Sequence, residues 1–512
     1  MPRIGAQTAG ATTLPAPIGG LNDRDSLAAM AATDAVILEN WWPEPSKVVV
    51  RSGSFDWSTG YTAVIESLVE YDPPGGDTKL FACAGGSIFD ATDAGAVGVP
   101  VVSGLAVNRW QDVSQATAGG SFLALFNGTD KPLLYDGTTW TPIDSASTPA
   151  ITGIDSRLLI SGCIYKNRLW MVERDSMRVW YLPVVSIGGT AVSIDLGQVF
   201  QRGGYLMAMY TWTLDAGSGS DDHAVFISSN GEVAVYAGTD PSTAATWLLV
   251  GVFSLGKPIG RRCGIKYGGD LLIITENGIY PLSKGLLSSS IDRRVAITDK
   301  IQNSVNQAVL TYGANFGWEL CLHSAQSALI LNVPAGNGTN FQYAQNILTG
   351  AWTKFTGWNA TCFRSSKTGL YFGGDKVVRR AWSGHVDGTD MIVADVLQAF
   401  QYFGSRAQNK YFTMLRPYLQ TDGTPAILYS LNGDFNPQPA QGSLSYTPAS
   451  GLVWGSMVWG SMVWGGSVQS LANWNTVGGI FKAAGLRLKI QSNGASVEWT
   501  ATDFIYNRGG LL

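Results

Sequence analysis

The sequence has few charged side chains, and this shortage limits how much surface it can leave exposed to water. Lys, Arg, Asp and Glu make up 14% of the 512 residues, against about a quarter in ordinary soluble chains. The net charge of −4 gives no general affinity for nucleic acid or for an anionic membrane. The length suffices for two to four domains. We therefore expect much of the surface to be covered by other subunits.

Long apolar runs and paired cysteines are also missing. No stretch approaches the roughly 18 apolar residues of a membrane span, and the first residues lack the apolar core of a signal peptide. No Cys-x-x-Cys pair occurs among the widely spaced Cys83, Cys163, Cys263, Cys321 and Cys362. We expect buried thiols in a reducing cytoplasm, without a disulfide framework, a metal site or a membrane span.

Histidine is scarce, which argues against most acid–base catalysis. The three histidines are His223, His323 and His385, and none has a cysteine or a paired carboxylate at ligand spacing. His223 follows Asp222 and is predicted to be a solvated turn residue. No Gly-x-Ser-x-Gly nucleophile motif occurs, and no compact acidic pair suggests a glycosidase. We therefore predict that the chain is not an enzyme and needs no cofactor.

Two short motifs resemble ligand-binding loops but depart from them at essential positions. Residues 251–258 have the glycine and lysine frame of a phosphate-binding loop, but Pro258 replaces the Ser or Thr that would hold magnesium. The acidic run 215–222 offers carboxylates to calcium, but it lacks the spacing of a calcium loop. We predict no nucleotide site and a flexible acidic turn.

A repeated β pattern fills residues 61–385. Alternating apolar runs meet at Gly, Asn or Asp turns, as in 133–143, 224–238 and 270–283, and such turns between alternating runs are typical of β-hairpins. Units recur at very roughly 50 residues, which suggests about six blades of an irregular β-propeller-like body. A pair of Greek-key sandwiches is the alternative.

The remaining regions predict an all-β protein with a few short helices. Residues 1–60 form an N-terminal arm with a short helix from Ser26 to Glu39. A second helix is predicted within 296–313, with Thr298 as its N-cap and an apolar stripe at Ile297, Ile301, Val305 and Ala308. Residues 386–512 are predicted to be a separate β-sandwich-like domain that carries a Trp-rich extension at 453–465.

The Trp-rich extension is the most unusual part of the sequence. Trp454, Trp459 and Trp464 recur every five residues within VWGSMVWGSMVWGG, a period that fits neither a helix nor a two-faced strand. Such a run needs cover, so it packs on its own domain or forms a subunit contact. The paired arginines Arg261–Arg262 and Arg293–Arg294 are candidate contacts with partner proteins.

Several segments resemble one group of proteins. Residues 17–54, 167–189, 201–241 and 499–512 are similar to structural proteins of tailed phages. The Trp repeat resembles a Trp-rich insertion in the tail nozzle, or tail tubular protein B, of short-tailed phages (podoviruses). The resemblance implies a homohexameric ring in the virion tail, assembled in the host cytoplasm. It also implies contacts with a head-to-tail adaptor and with a fibre, needle or plug protein, and transient passage of double-stranded DNA during ejection.

A second function belongs to a different class. The chain could be a propeller at the tail tip that recognises a glycan receptor on the host, with aromatic side chains exposed in a shallow pocket. Binding to cell-surface polysaccharide by the protein alone would distinguish this function from that of a ring-forming conduit.

Overall fold

A computed structural model describes residues 9–215, 220–285, 293–444 and 469–509. Strands dominate these residues, and the helices are few and short. The chain is therefore all-β, as predicted. It combines a ring of small antiparallel sheets, arranged as in a β-propeller, with a two-sheet sandwich.

Seven sheets of the described residues form the ring, one more than the repeat suggested, and they are numbered here as blades in chain order. Blade 1 contains Ser54–Tyr71, Lys79–Ala84, Ser87–Asp90 and Val102–Ser103. Blade 2 contains Gln111–Thr117, Gly120–Phe126, Leu133–Tyr135 and Trp140–Pro142. Blade 3 contains Leu159–Tyr165, Arg168–Glu173, Arg178–Tyr181 and Val192–Asp195. Blade 4 contains Leu206–Asp215, Ser220–Ser228, Glu232–Gly238 and Trp247–Ser254.

The later blades are less regular. Blade 5 has three strands, Gly264–Tyr267, Asp270–Thr275 and Gly278–Pro281. Blade 6 contains Glu319–His323, Ala328–Val333, Phe341–Asn346 and Trp352–Phe355, and blade 7 contains Cys362–Ser366, Gly369–Gly373 and Asp375–Ala381. Short strands at the periphery are Gly95–Ala96, Ile151–Thr152, Gly189–Thr190, Val386–Asp387 and Asp390–Met391.

One long strand closes the ring. The first part of Ser54–Tyr71, up to Val64, pairs with Asp375–Ala381 and completes blade 7. The second part, from Ile65, pairs with Lys79–Ala84 and begins blade 1. The two ends of the propeller are thus joined by backbone hydrogen bonds.

The packing between blades follows from their sequence pattern. Local turns set each hairpin: Lys166 and Asn167 have positive φ values of 47° and 57°, as a two-residue type I′ turn requires. Apolar side chains that alternate along the strands then fill the gap between each pair of neighbouring blades. Between blades 3 and 4, for example, Trp170 and Phe226 pack together with ring centroids 6.1 Å apart.

The sandwich has two sheets whose inner faces share one core. The first contains Ala9–Pro15, Trp41–Pro43, Val48–Val50, Lys410–Thr421, Gln469–Leu471, Asn475–Phe481 and Val497–Arg508. The second contains Gly20–Leu21, Asp34–Glu39, Val393–Gln398, Ala426–Gly433, Gly442–Ser443 and Ala484–Gln491. N-terminal strands lie in both sheets, so the described residues from Ala9 to Val50 are built into the sandwich.

The sandwich and the propeller are joined by backbone pairing between strands and by a buried ion pair. Glu39 pairs in parallel with Lys354 at the outer strand of blade 6, so the second sheet continues that blade. Arg51, whose side chain is only 1% exposed, pairs with Asp387 and lies 4.9 Å from the ring centroid of Trp358. Backbone pairing and a buried ion pair thus connect the sandwich to the propeller.

Two helix predictions had different outcomes. The second helix is present as Gln302–Tyr312, after a 3-10 turn at Asp299–Ile301, with Val305 and Ala308 buried. Thr298 does not cap it, because its hydroxyl instead accepts a hydrogen bond from the Ile279 amide at 3.2 Å. The other helices are Leu282–Gly285 and the 3-10 turns Ser156–Leu158, Arg293–Val295 and Ser324–Gln326.

The helix predicted from Ser26 to Glu39 is wrong. Asp34–Glu39 is instead a strand that pairs with Val393–Gln398. Its run of Val36, Ile37 and Leu38 fits a sheet, where β-branched side chains pack well. Partners more than 350 positions away in the chain decide this conformation, so local spacing alone could not reveal it.

Candidate functional site

Charged side chains from distant parts of the chain meet at the centre of the ring. Asp112, Glu319 and Arg364 lie on the first strands of blades 2, 6 and 7, and Arg262 lies just before blade 5. Arg262 Nη1 is 3.0 Å from Glu319 Oε2, and Arg364 Nη1 is 3.3 Å from Asp112 Oδ1. We call these four residues the axial network.

Arg262 is the most connected member of the axial network. Its Nη2 donates to Ser67 Oγ at 2.6 Å and to the carbonyls of Trp110 and Glu66 at 3.1 and 3.2 Å. The guanidinium carbon also lies 5.2 Å from the ring centroid of Phe316. Because a planar guanidinium can donate in several directions at once, this one side chain ties together blades 1, 5 and 6.

Burial and pairing set the protonation of this pair. Burial raises the pKa of Glu319, and the charge of Arg262 and the amide of Phe363 offset only part of that rise. Burial lowers the pKa of Arg262, but Glu319 outweighs it and the net shift is upward. The guanidinium therefore keeps its proton, and ionisation of Glu319 is stabilised chiefly by that neighbouring charge.

A cavity of about 350 Å³ adjoins the axial network. It opens between the first strands of blades 2 to 5, and its polar lining includes Asp112, Ser161, Tyr210, Thr211 and Lys266. This axial cavity has the volume of a small-molecule site.

The outer strand of blade 4, Trp247–Ser254, is the most unusual exposed surface. It pairs on one side with Glu232–Gly238 and has no strand on its other side among the described residues. Leu248 and Val250 are 59% and 53% exposed, and Leu249 and Val252 are exposed as well. We call this strand the blade 4 edge.

One side chain anchors the blade 4 edge to the propeller. Trp247 stacks on Tyr236 and on Trp170, with ring centroids 5.2 Å apart in both cases. The interplanar angles of 14° and 17° describe parallel rings. Trp247 therefore fixes this strand to Tyr236 and Trp170 of the propeller, while Leu248, Leu249, Val250 and Val252 remain exposed.

The predicted contact arginines have unequal surroundings. The side chain of Arg262 is 19% exposed and is paired with Glu319 in the axial network. Arg261 is half-buried, with its guanidinium carbon 5.3 Å from the Tyr205 ring centroid and a hydrogen bond to the Met207 carbonyl at 3.3 Å. Arg294 is exposed in a 3-10 turn, whereas the side chain of Arg293 lies outside the described part of the structure.

Other sequence predictions fall partly or wholly outside the described residues. Trp454, Trp459 and Trp464 all lie outside them, as does the middle of the acidic turn at 216–219. At the end of that turn, Asp222 accepts a hydrogen bond from Thr213 Oγ1 at 2.7 Å, which lowers its pKa. In the described parts of the chain, no group of three or more His, Cys, Asp or Glu is placed to hold a metal ion.

The histidines and the phosphate-loop frame occupy strands. His223 lies half-buried in Ser220–Ser228, 5.6 Å from the Trp212 ring, so the prediction of a solvated turn residue is wrong. His323 Nδ1 is 3.1 Å from Ser365 Oγ, and burial lowers its pKa. Gly251 lies within the blade 4 edge, and residues 258–267 after Lys257 contain no helix.

The cysteines agree with the prediction of free thiols. All five are unpaired, and four of them are buried, with Cys163 partly so. Burial raises the pKa of Cys163, Cys263, Cys321 and Cys362 to about 12. These thiols are therefore protonated at neutral pH and act as small apolar side chains.

Comparison with known proteins identifies no family. No family model matches the sequence, and no curated protein matches it. Among solved structures, the chain is similar to the β-propeller domain of Cps50 (Swd1) from Myceliophteria thermophila, at 13% identity and a TM-score of 0.42. That match covers 64% of this chain and 99% of the other. None of the described helices is long and apolar enough to cross a membrane.

Proposed function

We propose that this chain is a structural subunit of a virion, namely the tail nozzle of a short-tailed phage. The blade 4 edge is the observation that carries the proposal. An exposed, uncharged, apolar strand edge promotes association, and in a subunit of a permanent assembly it would be covered by another copy. The low charge of the whole chain supports the same conclusion.

The axis of the propeller bears on where DNA would travel. In our proposal, several copies form a closed ring, and the double-stranded DNA leaves through the opening between them. The axial network places ion pairs at the centre of the propeller, and the adjoining cavity of about 350 Å³ is far too small for a duplex. Each propeller would thus form part of the wall of the ring. An adaptor protein would bind on one side of the ring, and a fibre, needle or plug protein on the other.

A second candidate function, a receptor-binding propeller at the tail tip, is favoured by the axial cavity. Its mixed lining of hydroxyls, Asp112 and Lys266 suits a single sugar unit better than an apolar ligand. Titration of the purified chain with host cell-surface polysaccharide tests this candidate, and Lys266→Ala should weaken binding if the cavity is the site.

Immunogold electron microscopy of phage particles, with an antibody against this chain, tests the proposed function. We expect label at the distal end of a short tail, followed by six-fold symmetry in a reconstruction. Label only on peripheral fibres would favour the receptor-binding candidate. Particles without any label would overturn the assignment to the virion.

A further inference from the structure

We propose that the blade 4 edge of one copy receives the uncharged segment 445–468 of the neighbouring copy as an additional β-strand. This inference rests on the proposed function, because it names the contact that would join successive subunits of the ring. It assigns a role to two features that nothing else in the molecule explains: an uncovered strand edge and the Trp repeat.

The blade 4 edge differs from every other outer strand of the ring. It has eight residues, with neither a charge nor a proline. Four of the other outer strands have two to four residues, and three of these contain a proline or an acidic residue: Val102–Ser103, Trp140–Pro142, Val192–Asp195 and Gly278–Pro281. The outer strand of blade 6, Trp352–Phe355, is covered by Asp34–Glu39. The outer strand of blade 7, the start of Ser54–Tyr71, contains Asp56. Proteins protect exposed edges by such devices, and only blade 4 lacks them.

The segment 445–468 has a matching composition. It reads SYTPASGLVWGSMVWGSMVWGGSV and contains no charged residue. When two uncharged, apolar strands meet, no charge is desolvated, whereas most other exposed surfaces would bring one into the contact. Strand addition of this kind gains main-chain hydrogen bonds and places alternate side chains on both faces of the extended sheet.

The ends of the segment lie on the sandwich. Leu444 follows Gly442–Ser443 at the edge of the second sheet, and Gln469–Leu471 pairs with the end of Lys410–Thr421 in the first sheet. If the segment 445–468 leaves the sandwich and returns to it, half of the segment runs in each direction, and it reaches at most about 40 Å from the sandwich. The sandwich adjoins blades 5 to 7, so the segment starts from a different surface than the blade 4 edge. Two different surfaces that meet on successive copies give the heterologous contact that a ring requires.

Sedimentation velocity over a concentration series tests the inference with three variants of the full chain. The edge variant is Leu248→Lys with Val250→Lys, and the segment variant replaces Trp454, Trp459 and Trp464 by Ser. The control variant is Val99→Lys with Val101→Lys, which places two lysines at other exposed valines. Circular dichroism and thermal unfolding verify that each variant is folded.

We expect the edge and segment variants to associate at least about tenfold more weakly than the wild type, and the control to associate normally. Combining the edge and segment changes should add little further loss, because both remove the same contact. A wild type that stays monomeric, or variants that associate normally, would overturn the inference. Neither result would decide the proposed function, because labelling of the virion tests that separately.

Cross-linking shows whether the segment comes from a second copy. A photoreactive residue at position 249 is introduced, and isotopically heavy and light chains are mixed before irradiation. Mixed heavy–light cross-links to peptides within 445–468 support the inference. Cross-links to that segment within one chain, or to another region of the partner, contradict it.

Discussion

The axis of the propeller and the blade 4 edge reverse the usual placement of polar and apolar groups. At the axis, charged side chains are buried and satisfied by one another, as with Arg262 and Glu319 at 3.0 Å. At the blade 4 edge, Leu248 and Val250 are more than half exposed and carry no neighbouring charge on their own strand. The axial ion pairs form within one chain, whereas the blade 4 edge has no second neighbouring strand in the described parts of that chain.

The difference shows which surface is adapted to stability and which to association. Buried ion pairs are costly to desolvate and are retained where their hydrogen bonds are complete. Exposed apolar strands cost little in the isolated chain but promote contact with other chains. Substitutions at the two sites should therefore affect different measurements, and the four predictions below rest on that distinction.

The largest effect is expected at the axis. Arg262→Met removes the counter-charge of Glu319 and the hydrogen bonds from Arg262 to Ser67, Trp110 and Glu66, which should cost roughly 3–5 kcal/mol of unfolding free energy. Urea unfolding at neutral pH measures the loss. The double variant Arg262→Met with Glu319→Leu should recover much of it, because no buried charge is then left unpaired. A loss below about 1 kcal/mol in the single variant would contradict the importance of the axial network.

The same variant makes a prediction about pH. Burial raises the pKa of Glu319, and Arg262 opposes that rise, so removal of Arg262 raises the pKa further. A carboxyl whose pKa is higher in the folded state keeps its proton at pH values where the same carboxyl in the unfolded chain has lost it. The unfolding free energy therefore falls as the pH rises above about 4.3, the usual pKa of Glu. Arg262→Met should be least destabilised in acid and most destabilised at neutral pH. The double variant with Leu at 319 should lose this dependence.

Local signals in the sequence were enough to predict the fold class but not the closure of the ring. Turns such as Asn230–Gly231 and Asp136–Gly137 follow from residue type, and they revealed the hairpins and hence the propeller. The strand that joins blades 7 and 1 pairs residues 54–64 with 375–381, and no local pattern indicates such a distant partner. The same limitation explains why Asp34–Glu39 was predicted to be a helix.

The candidate site was harder to predict than the fold. Arg261 and Arg262 were treated as one basic pair, yet only Arg262 enters the axial network, because its acceptors come from blades that are distant in sequence. The blade 4 edge had a signal that was overlooked: Leu248 to Val252 is apolar without alternation and without charge. Only Gly251 and Val252, at the end of this run, were considered, as the start of a phosphate-loop frame.

An intermediate effect is expected on the inner side of the blade 4 edge. Trp247→Ala removes two stacked ring contacts and leaves a cavity beside Trp170 and Tyr236, which should cost about 3 kcal/mol. Thermal unfolding of the purified variant measures this. Trp474→Ala is the control: that ring is 38% exposed and its main contact is Arg416, at 4.4 Å, so about 1 kcal/mol or less should be lost. Equal losses in the two variants would show that Trp247 does not anchor the strand.

The smallest effect on stability is expected on the outer side of the same strand. Leu248→Lys replaces an exposed side chain that has no partner across the edge, so the unfolding free energy should change by no more than about 0.5 kcal/mol. Urea unfolding of the dilute protein measures this change, and dilution keeps association from contributing. The lysine also introduces the kind of charge that protects other edges, so the variant should remain soluble at higher concentration than the wild type. If Leu248→Lys instead cost as much as Trp247→Ala, the outer side chains would belong to the fold of the single chain, and the contrast between the buried axis and an edge reserved for association would no longer hold.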